Sequence, residues 1–230
     1  LDAAFELGLG QRADRLPVRI EQLVGDGEFD RPALEDQVPP EELQVVRLVG
    51  VAAQGMTACP CAQQLVRGAS RARLLDDGFS EDEVERIFDH VPVATHNQRG
   101  LGTLHIGMPE GDTTQIDART LLTIVEGSMS SEIYELMKRT DEGAVVEKAH
   151  RRPRFVEDCV REMIGGVVDR LPDLGDGHFV SARQENLETI HQHNVVAERF
   201  GLLGELRREL DAGEHVAHHT TMRVWLEAAG

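Results

Sequence analysis

The chain is short of lysine, of aromatic residues and of long apolar runs. Only two of its 24 basic residues are lysines, Lys138 and Lys148, and it has one Trp and one Tyr. No apolar stretch approaches the roughly 18 residues that a membrane-spanning helix needs, and no signal peptide opens the chain. We therefore expect a cytoplasmic protein without a membrane partner.

Basic charge is scarce relative to acidic charge. The chain carries 41 acidic against 24 basic residues, a formal net charge of −17. A surface of this sign repels the phosphate backbone, so nucleic acid is not an expected partner. A salt-adapted surface and a GC-rich genome both explain the preference for arginine over lysine, and neither indicates a function.

Cysteine is also sparse, and the loops that identify several common enzyme classes are missing. The sequence contains no P-loop, no GxGxxG and no GxSxG motif. Of its three cysteines, Cys159 falls within a helical pattern as a small hydrophobe. Cys59 and Cys61 are separated by one proline, too close for an unstrained disulfide. This pair indicates metal ligands or nucleophiles; the alternative is two buried cysteines in a turn.

Two later segments add imidazole groups to these thiols. His96 lies among polar residues, and His191 and His193 form a His-x-His pair. Thiolate and imidazole are ligands of zinc and ferrous iron. In an extended segment both histidines of the pair face one side, whereas in a turn one of them is free for acid/base work. The cations near these segments indicate either an anion site, such as one for phosphate, or ordinary helix-end ion pairs: Arg99, Lys138, Arg139, Lys148, Arg151, Arg152 and Arg154.

Hydrophobic periodicity predicts alternating groups of strands and helices. Strands are predicted at 43–51, 103–106, 144–149 and 179–184. Helices are predicted at 62–75, from the capping box at Ser80 to Pro92, from Asp117 to 125, at 128–139, at 153–167 and at 195–210, with a turn at 187–193. This order predicts an α+β fold with an antiparallel sheet.

Taken together, the motifs resemble the GTP cyclohydrolase family of bacterial type IB and archaeal MptA-type enzymes. The matching segments are Gly55–Thr57 with Cys59–Cys61, His96–Arg99, Ser131–Tyr134, Lys138–Glu142, Phe155–Asp158 and Glu188–Asn194. The resemblance covers residues 43–210. It leaves 1–42 as an incomplete or peripheral N-terminal segment and 211–230 as a C-terminal tail of unknown role.

The resemblance implies a tunnelling fold, which is an antiparallel sheet with helices on one face. It allows two such modules in the chain, the first incomplete, and implies a homotetramer with active sites at subunit interfaces. It also implies one divalent metal ion per site, with Fe(II) favoured and Zn(II) or Mn(II) possible. The implied reaction opens the imidazole ring of GTP at C8 and releases formate for pterin or folate-type cofactor synthesis.

The resemblance leaves the product open. MptA-type enzymes give 7,8-dihydroneopterin 2′,3′-cyclic phosphate, and type IB enzymes give the triphosphate. The long spacing between Cys61 and His96 favours the MptA type. A non-catalytic protein of the same fold that binds a pterin or purine is the alternative from a different class.

The resemblance also implies a role for individual residues. The implied metal ligands are Cys59, His96, Glu132 and His191. The implied catalytic groups are Cys59, Cys61, Glu188 and His193. Substrate contacts are expected from Glu147, which matches the glutamate that binds the guanine edge, and from the cations Arg99, Lys138 and Arg139.

Overall fold

The structure is a computed structural model that describes residues 18–23, 44–212 and 219–228. Most of the N-terminal segment 1–42, and His215 and His218 of the tail, lie outside the described residues. Within that segment, strand β1 (Val18–Leu23) pairs in parallel with the beginning of strand β2 (Gln44–Ala58).

A mainly antiparallel sheet organises the described part of the chain. Its further strands are β3 (Asn97–Met108), β4 (Ser131–Glu132), β5 (Phe179–Leu187) and β6 (Val195–Leu202). The strand order is β1-β2-β3-β5-β6, and the short β4 pairs with β2 at Gly55 and Met56. Every pairing except that of β1 with β2 is antiparallel. The predicted α+β class with an antiparallel sheet is therefore confirmed.

Helices cover the sheet unequally on its two sides. They are α1 (Pro60–Asp76), α2 (Glu81–His90), α3 (Ala118–Ser128), α4 (Arg139–Arg151), α5 (Val156–Arg170), α6 (Leu203–Ala212) and α7 (Met222–Ala228). Helices α3, α5 and α6 bury the main core against β2, β3 and β5. Among the described residues, the opposite face is covered by the short α7, whose Trp225 packs on Val46 and Phe179. Among the described helices, none combines the length and the apolar character needed to cross a membrane.

Local capping chemistry explains where three helices begin. The Ser80 hydroxyl accepts from the Glu83 N–H, and the Glu83 carboxylate accepts from the Ser80 N–H, which is the predicted capping box. Asp117 accepts from the Arg119 N–H and opens α3. Pro60 occupies the first turn of α1, where a missing N–H costs nothing. Together α1 and α2 occupy the long spacing between Cys61 and His96.

Three secondary-structure predictions are wrong. The predicted helix at 128–139 is instead β4 followed by an irregular segment, and the predicted strand at 144–149 lies inside α4. In α4 the buried apolar side chains are Val145 and Ala149, four residues apart as on a helix face. The predicted helix at 195–210 begins as strand β6, because pairing with β5 supplies its backbone hydrogen bonds. Only its second half, α6, is helical.

The C-terminal tail is attached to the sheet through Glu205 of α6. Its carboxylate accepts from the Thr220 N–H at 3.0 Å, the Thr220 hydroxyl at 2.7 Å and the Leu202 N–H at 2.9 Å. Partial burial acts to raise the pKa of Glu205, but these hydrogen bonds outweigh it and hold the pKa below its ordinary value. The described part of the tail is therefore held against the sheet, where Trp225 packs on Val46 and Phe179.

Two adjacent glycines of α5 test how closely α5 packs on α3. A Cβ on Gly166 would lie 2.8 Å from Cγ2 of Ile124, whereas a Cβ on Gly165 would have no neighbour within 4 Å. We expect Gly165→Ala to stabilise the fold by about 0.5–1 kcal/mol, the usual gain of alanine over glycine in a helix. Gly166→Ala should instead be destabilising, because overpacking against a stiff β-branched side chain costs about 1–3 kcal/mol.

Urea unfolding followed by Trp225 fluorescence measures both variants, and Gly165→Ala is the matched control. Equal stabilisation by the two substitutions would show that α3 and α5 are not in close contact.

Candidate active site

The site is built where the C-terminal end of β2 meets the beginning of β3. These strands pair up to Ala58 and Asn97, so Cys59, just after β2, lies beside His96, just before β3. The Cys59 N–H donates to the His96 carbonyl at 3.1 Å, and the Thr95 hydroxyl donates to the Cys59 carbonyl at 2.8 Å. Backbone pairing across a long sequence separation therefore places the main chain of Cys59 beside that of His96.

The two cysteines of the CPC motif have different environments. Cys59 is the N-cap residue of α1 and is partly buried, and its side chain makes no capping hydrogen bond. Cys61 lies in the first turn of the helix and is exposed. The Cys59 thiol is therefore not used for capping the helix, while Cys61 is open to solvent.

The turn between β5 and β6 brings Glu188 and His191 to His96, and it brings His193 to His191. The nearest is Glu188, whose Oε2 lies 3.8 Å from His96 Nδ1. The His96 and His191 rings are 6.3 Å apart and nearly perpendicular, and His191 stacks on His193 at 5.5 Å. The Thr189 hydroxyl donates to the Asn97 carbonyl at 3.2 Å and holds the turn against β3. The predicted turn at 187–193 is confirmed, and it gathers His96, Glu188, His191 and His193.

One buried oxygen of Glu188 has no hydrogen-bond partner among the described residues. The Glu188 side chain is only 7% exposed, and the oxygen in question is Oε2. A buried carboxylate oxygen in this position is costly unless a proton or a cation approaches it. The cluster is thus chemically suited to a positive charge beside His96.

Glu132, the expected carboxylate ligand, has a cation for a partner. It lies in β4 opposite Gly55 of β2, and its carboxylate forms an ion pair with Lys148 of α4. Partial burial acts to raise the pKa of Glu132, but the hydrogen bond and charge of Lys148 outweigh it and hold the pKa below its ordinary value.

The expected metal ligands are suitable in kind but are not closed around one point. Thiolate, imidazole and carboxylate together suit a divalent transition metal. In the part of the chain that the structure describes, however, no three His, Cys, Asp or Glu side chains are arranged as a metal site. In this structure one oxygen of the Glu132 carboxylate is paired with Lys148.

The expected substrate contacts all lie on the exposed surface. Glu147 forms an ion pair with Arg151 one turn along α4, at 2.9 Å. Arg99 donates to Gln54 Oε1 at 3.0 Å on the neighbouring strand. Lys138 is the N-cap residue of α4, and Arg139 is the first residue of that helix. No described contact joins these four side chains to His96, so their expected roles stay predictions.

No role was assigned from the sequence to two buried residues near His96, which are Thr57 and Gln98. Thr57 and Gln98 are both buried. Gln98 is hydrogen-bonded to the Thr57 hydroxyl and contacts the His96 ring. The alternation along β3 could have identified Gln98. Gly100, Gly102 and Leu104 lie on the buried face of this strand, and Gln98 is the polar residue on the same face.

The sequence matches known proteins over most of its length. Residues 33–197 match the family described as type I GTP cyclohydrolase folE2. The chain is 48% identical over 166 residues to "GTP cyclohydrolase MptA" of Methanococcus aeolicus, which is 72% of this chain and 53% of that protein. It is 51% identical over 166 residues to the protein of the same name from Methanothermobacter thermautotrophicus, 72% of this chain and 51% of that protein.

A third relative shows the same proportions. The "GTP cyclohydrolase MptA" of Methanocaldococcus jannaschii is 45% identical over 170 residues, which are 74% of this chain and 54% of that protein. The chain therefore spans about half the length of the curated relatives it matches.

The geometry of the three thiols makes a direct prediction about their reactivity. In the folded protein we expect alkylation to be fastest at the exposed Cys61 and slower at the partly buried Cys59. Cys159 should react only on unfolding, because it is buried in the core and burial raises the pKa of its thiol to about 12. Mass mapping of alkylated peptides against time measures the order; rapid labelling of Cys159 in folded protein would contradict the structure.

Proposed function

The chain belongs to the type I GTP cyclohydrolase family, and from this membership we propose that it acts as a metal-dependent GTP cyclohydrolase. The observation that carries the proposal is the family match over residues 33–197 together with the cluster inside it. There the end of β2 and the β5–β6 turn place Cys59, His96, Glu188 and His191 at one end of the sheet.

The chemistry of the proposed reaction defines what the residues must do. Release of C8 of guanine as formate requires that both bonds from C8 to ring nitrogens be cleaved, each with the elements of one water molecule. Protons must therefore be taken from water and delivered to the departing nitrogens. Glu188 and His193, in the β5–β6 turn, are the proposed groups for these proton transfers. The Cys61 thiol, in the first turn of α1, is a further proposed catalytic group.

The proposed metal ligands are Cys59, His96, Glu132 and His191, with Fe(II) favoured over Zn(II) or Mn(II). A bound divalent ion would lower the pKa of water and polarise the C8 centre. The unpartnered Glu188 oxygen beside His96 supports a cation at this place. The Lys148 ammonium supports a carboxylate at Glu132 that is already charged before the ion arrives.

Substrate binding is proposed for the exposed charges of α4 and β3. Glu147 would accept from N1–H and the 2-amino group of guanine, which forms a charge-assisted pair. Arg99, Lys138 and Arg139 would contact the phosphates of GTP. Their exposure in the single chain is consistent with a site that another subunit completes.

Exposed apolar side chains flank the site and support a homotetramer. Leu136 is 93% exposed and Tyr134 58% exposed, in the segment between Glu132 and α4, and Ile190 of the β5–β6 turn is 61% exposed. Exposed apolar side chains in the segments that carry the proposed site residues are typical of a surface that a partner covers. We expect a tetramer by multi-angle light scattering, and Leu136→Ser should shift it towards smaller species; a wild-type monomer at micromolar concentration would contradict this proposal.

Formate release from GTP tests the activity directly. We expect metal-loaded protein under anaerobic conditions to release formate, chelation to abolish the release, and Fe(II), Mn(II) or Zn(II) to restore it. His96→Ala should reduce the rate by at least about 100-fold, because it removes both a proposed ligand and its site geometry. The exposed His90 at the end of α2 offers a matched control, and His90→Ala should leave the rate unchanged.

Mass spectrometry of the same reaction separates the remaining alternatives. The 2′,3′-cyclic phosphate of 7,8-dihydroneopterin is the product we propose, because the relatives reported above carry the name MptA. The triphosphate would indicate a type IB activity. GTP binding without formate release, at both low and high salt, would contradict the proposed enzymatic activity and indicate a non-catalytic purine- or pterin-binding protein.

A further inference from the structure

A buried glutamine contacts the ring of His96 from behind. Gln98 is 5% exposed and lies directly across from the fully buried Thr57 on β2. Its Nε2 donates to the Thr57 hydroxyl at 3.1 Å, and its Oε1 lies 3.1 Å from His96 Nδ1. Two strands thus hold an amide against one nitrogen of the imidazole ring.

Thr57 alone does not determine which way this amide faces. A hydroxyl can accept from the amide nitrogen or donate to the amide oxygen. In the first case the amide oxygen faces His96 and accepts a proton from Nδ1. In the second case the amide nitrogen faces His96 and donates to a lone pair on Nδ1. The two arrangements require opposite tautomers of the neutral ring.

Glu188 decides between the two arrangements. Its Oε2 lies 3.8 Å from the same Nδ1 atom, is buried and has no hydrogen-bond partner among the described residues. A lone pair on Nδ1 facing a buried carboxylate would be repelled, whereas an N–H would be attracted by it. The amide oxygen and the carboxylate therefore both face an Nδ1–H group.

We propose that Gln98 and Glu188 together hold the neutral His96 ring in its Nδ1–H tautomer, which leaves Nε2 as the nitrogen with the free lone pair. Gln98 is a positioning residue in this scheme, since it acts through His96, and Thr57 orients Gln98 in turn. The partner on one ring nitrogen sets what the other can bind. Only the use of Nε2, as a metal ligand or proton acceptor, rests on the proposed function.

The two acceptors that face His96 Nδ1 differ in charge: Gln98 is a neutral amide, and Glu188 is a carboxylate. A primary amide keeps its acceptor oxygen at every pH, whereas a carboxylate becomes a donor when it is protonated. Gln98 is also fixed by the strand pairing of Thr57 with Gln98, while Glu188 belongs to a turn. Gln98 therefore maintains the tautomer when Glu188 changes its partner.

Nitrogen NMR of the metal-free full chain tests the tautomer. With ¹⁵N-labelled histidine at alkaline pH, where imidazoles are neutral, long-range proton–nitrogen correlations distinguish the two tautomers of each ring. His96→Asn identifies the His96 signals among the ten histidines by their loss. We expect the Nδ1–H pattern for His96 in the wild type, and an Nε2–H pattern there would overturn the proposal.

Variants of Gln98 test its share in the effect. Gln98→Met keeps the length of the side chain but removes one of the two acceptors, so we expect the Nε2–H tautomer of His96 to appear beside the Nδ1–H form that Glu188 still favours. Gln98→Glu restores an acceptor and should restore the Nδ1–H pattern. Thr57→Val leaves Gln98 unanchored and should give a mixture. If Gln98→Met folds, as judged by Trp225 fluorescence, and retains the pure wild-type pattern, Gln98 has no positioning role.

Metal binding separates this inference from the proposed function. Competition with a chromophoric chelator should show Zn(II) bound about 10–100-fold more weakly by Gln98→Met than by the wild type, and Gln98→Glu should recover most of the loss. Wild-type protein that shows the Nδ1–H tautomer but binds no metal would contradict the proposed function and leave the tautomer assignment standing. Unchanged Zn(II) affinity in Gln98→Met would show that the tautomer does not govern the ligand nitrogen.

Discussion

The antiparallel pairing of β2 with β3 is the constraint on which the candidate site depends. It runs to Ala58 and Asn97 and continues as the hydrogen bond from the Cys59 N–H to the His96 carbonyl. The same pairing sets Thr57 opposite Gln98 behind the His96 ring. A one-residue slip would turn every side chain of β2 to the other face. The buried core under α3 and α5 therefore fixes the register that also aligns the site.

Charge at the site is arranged differently from charge on the rest of the surface. The chain has a net charge of −17 and only two lysines. Lys148 of α4 is nevertheless paired with Glu132, and Lys138 stands at the N-cap position of the same helix. Glu188, by contrast, is buried beside His96 with an oxygen that lacks a hydrogen-bond partner. The charge of Glu132 is thus neutralised by Lys148 of α4, whereas Glu188 has an oxygen available to a proton or a cation.

The accuracy of the sequence-based predictions followed the strength of each local signal. The capping box at Ser80 and the cap at Asp117 are local chemistry, and both helices were predicted. The segment 144–149 was misassigned because a short apolar run does not distinguish a strand from one helix face. Residues 195–202 were misassigned because pairing with β5 determines their conformation. Glu132 was expected among metal ligands, and no sequence pattern indicated its pairing with Lys148.

The sequence by itself determined the α+β class, the family and the segments that carry chemistry, because residue types and motif order are properties of the chain. Only the tertiary structure decided which of these side chains meet. His96 contacts Glu188 and Gln98. Cys59 is partly buried whereas Cys61 is exposed. Glu147 pairs with Arg151. The reason is that sheet register and the path of the β5–β6 turn set these distances, and both result from packing between residues far apart in sequence.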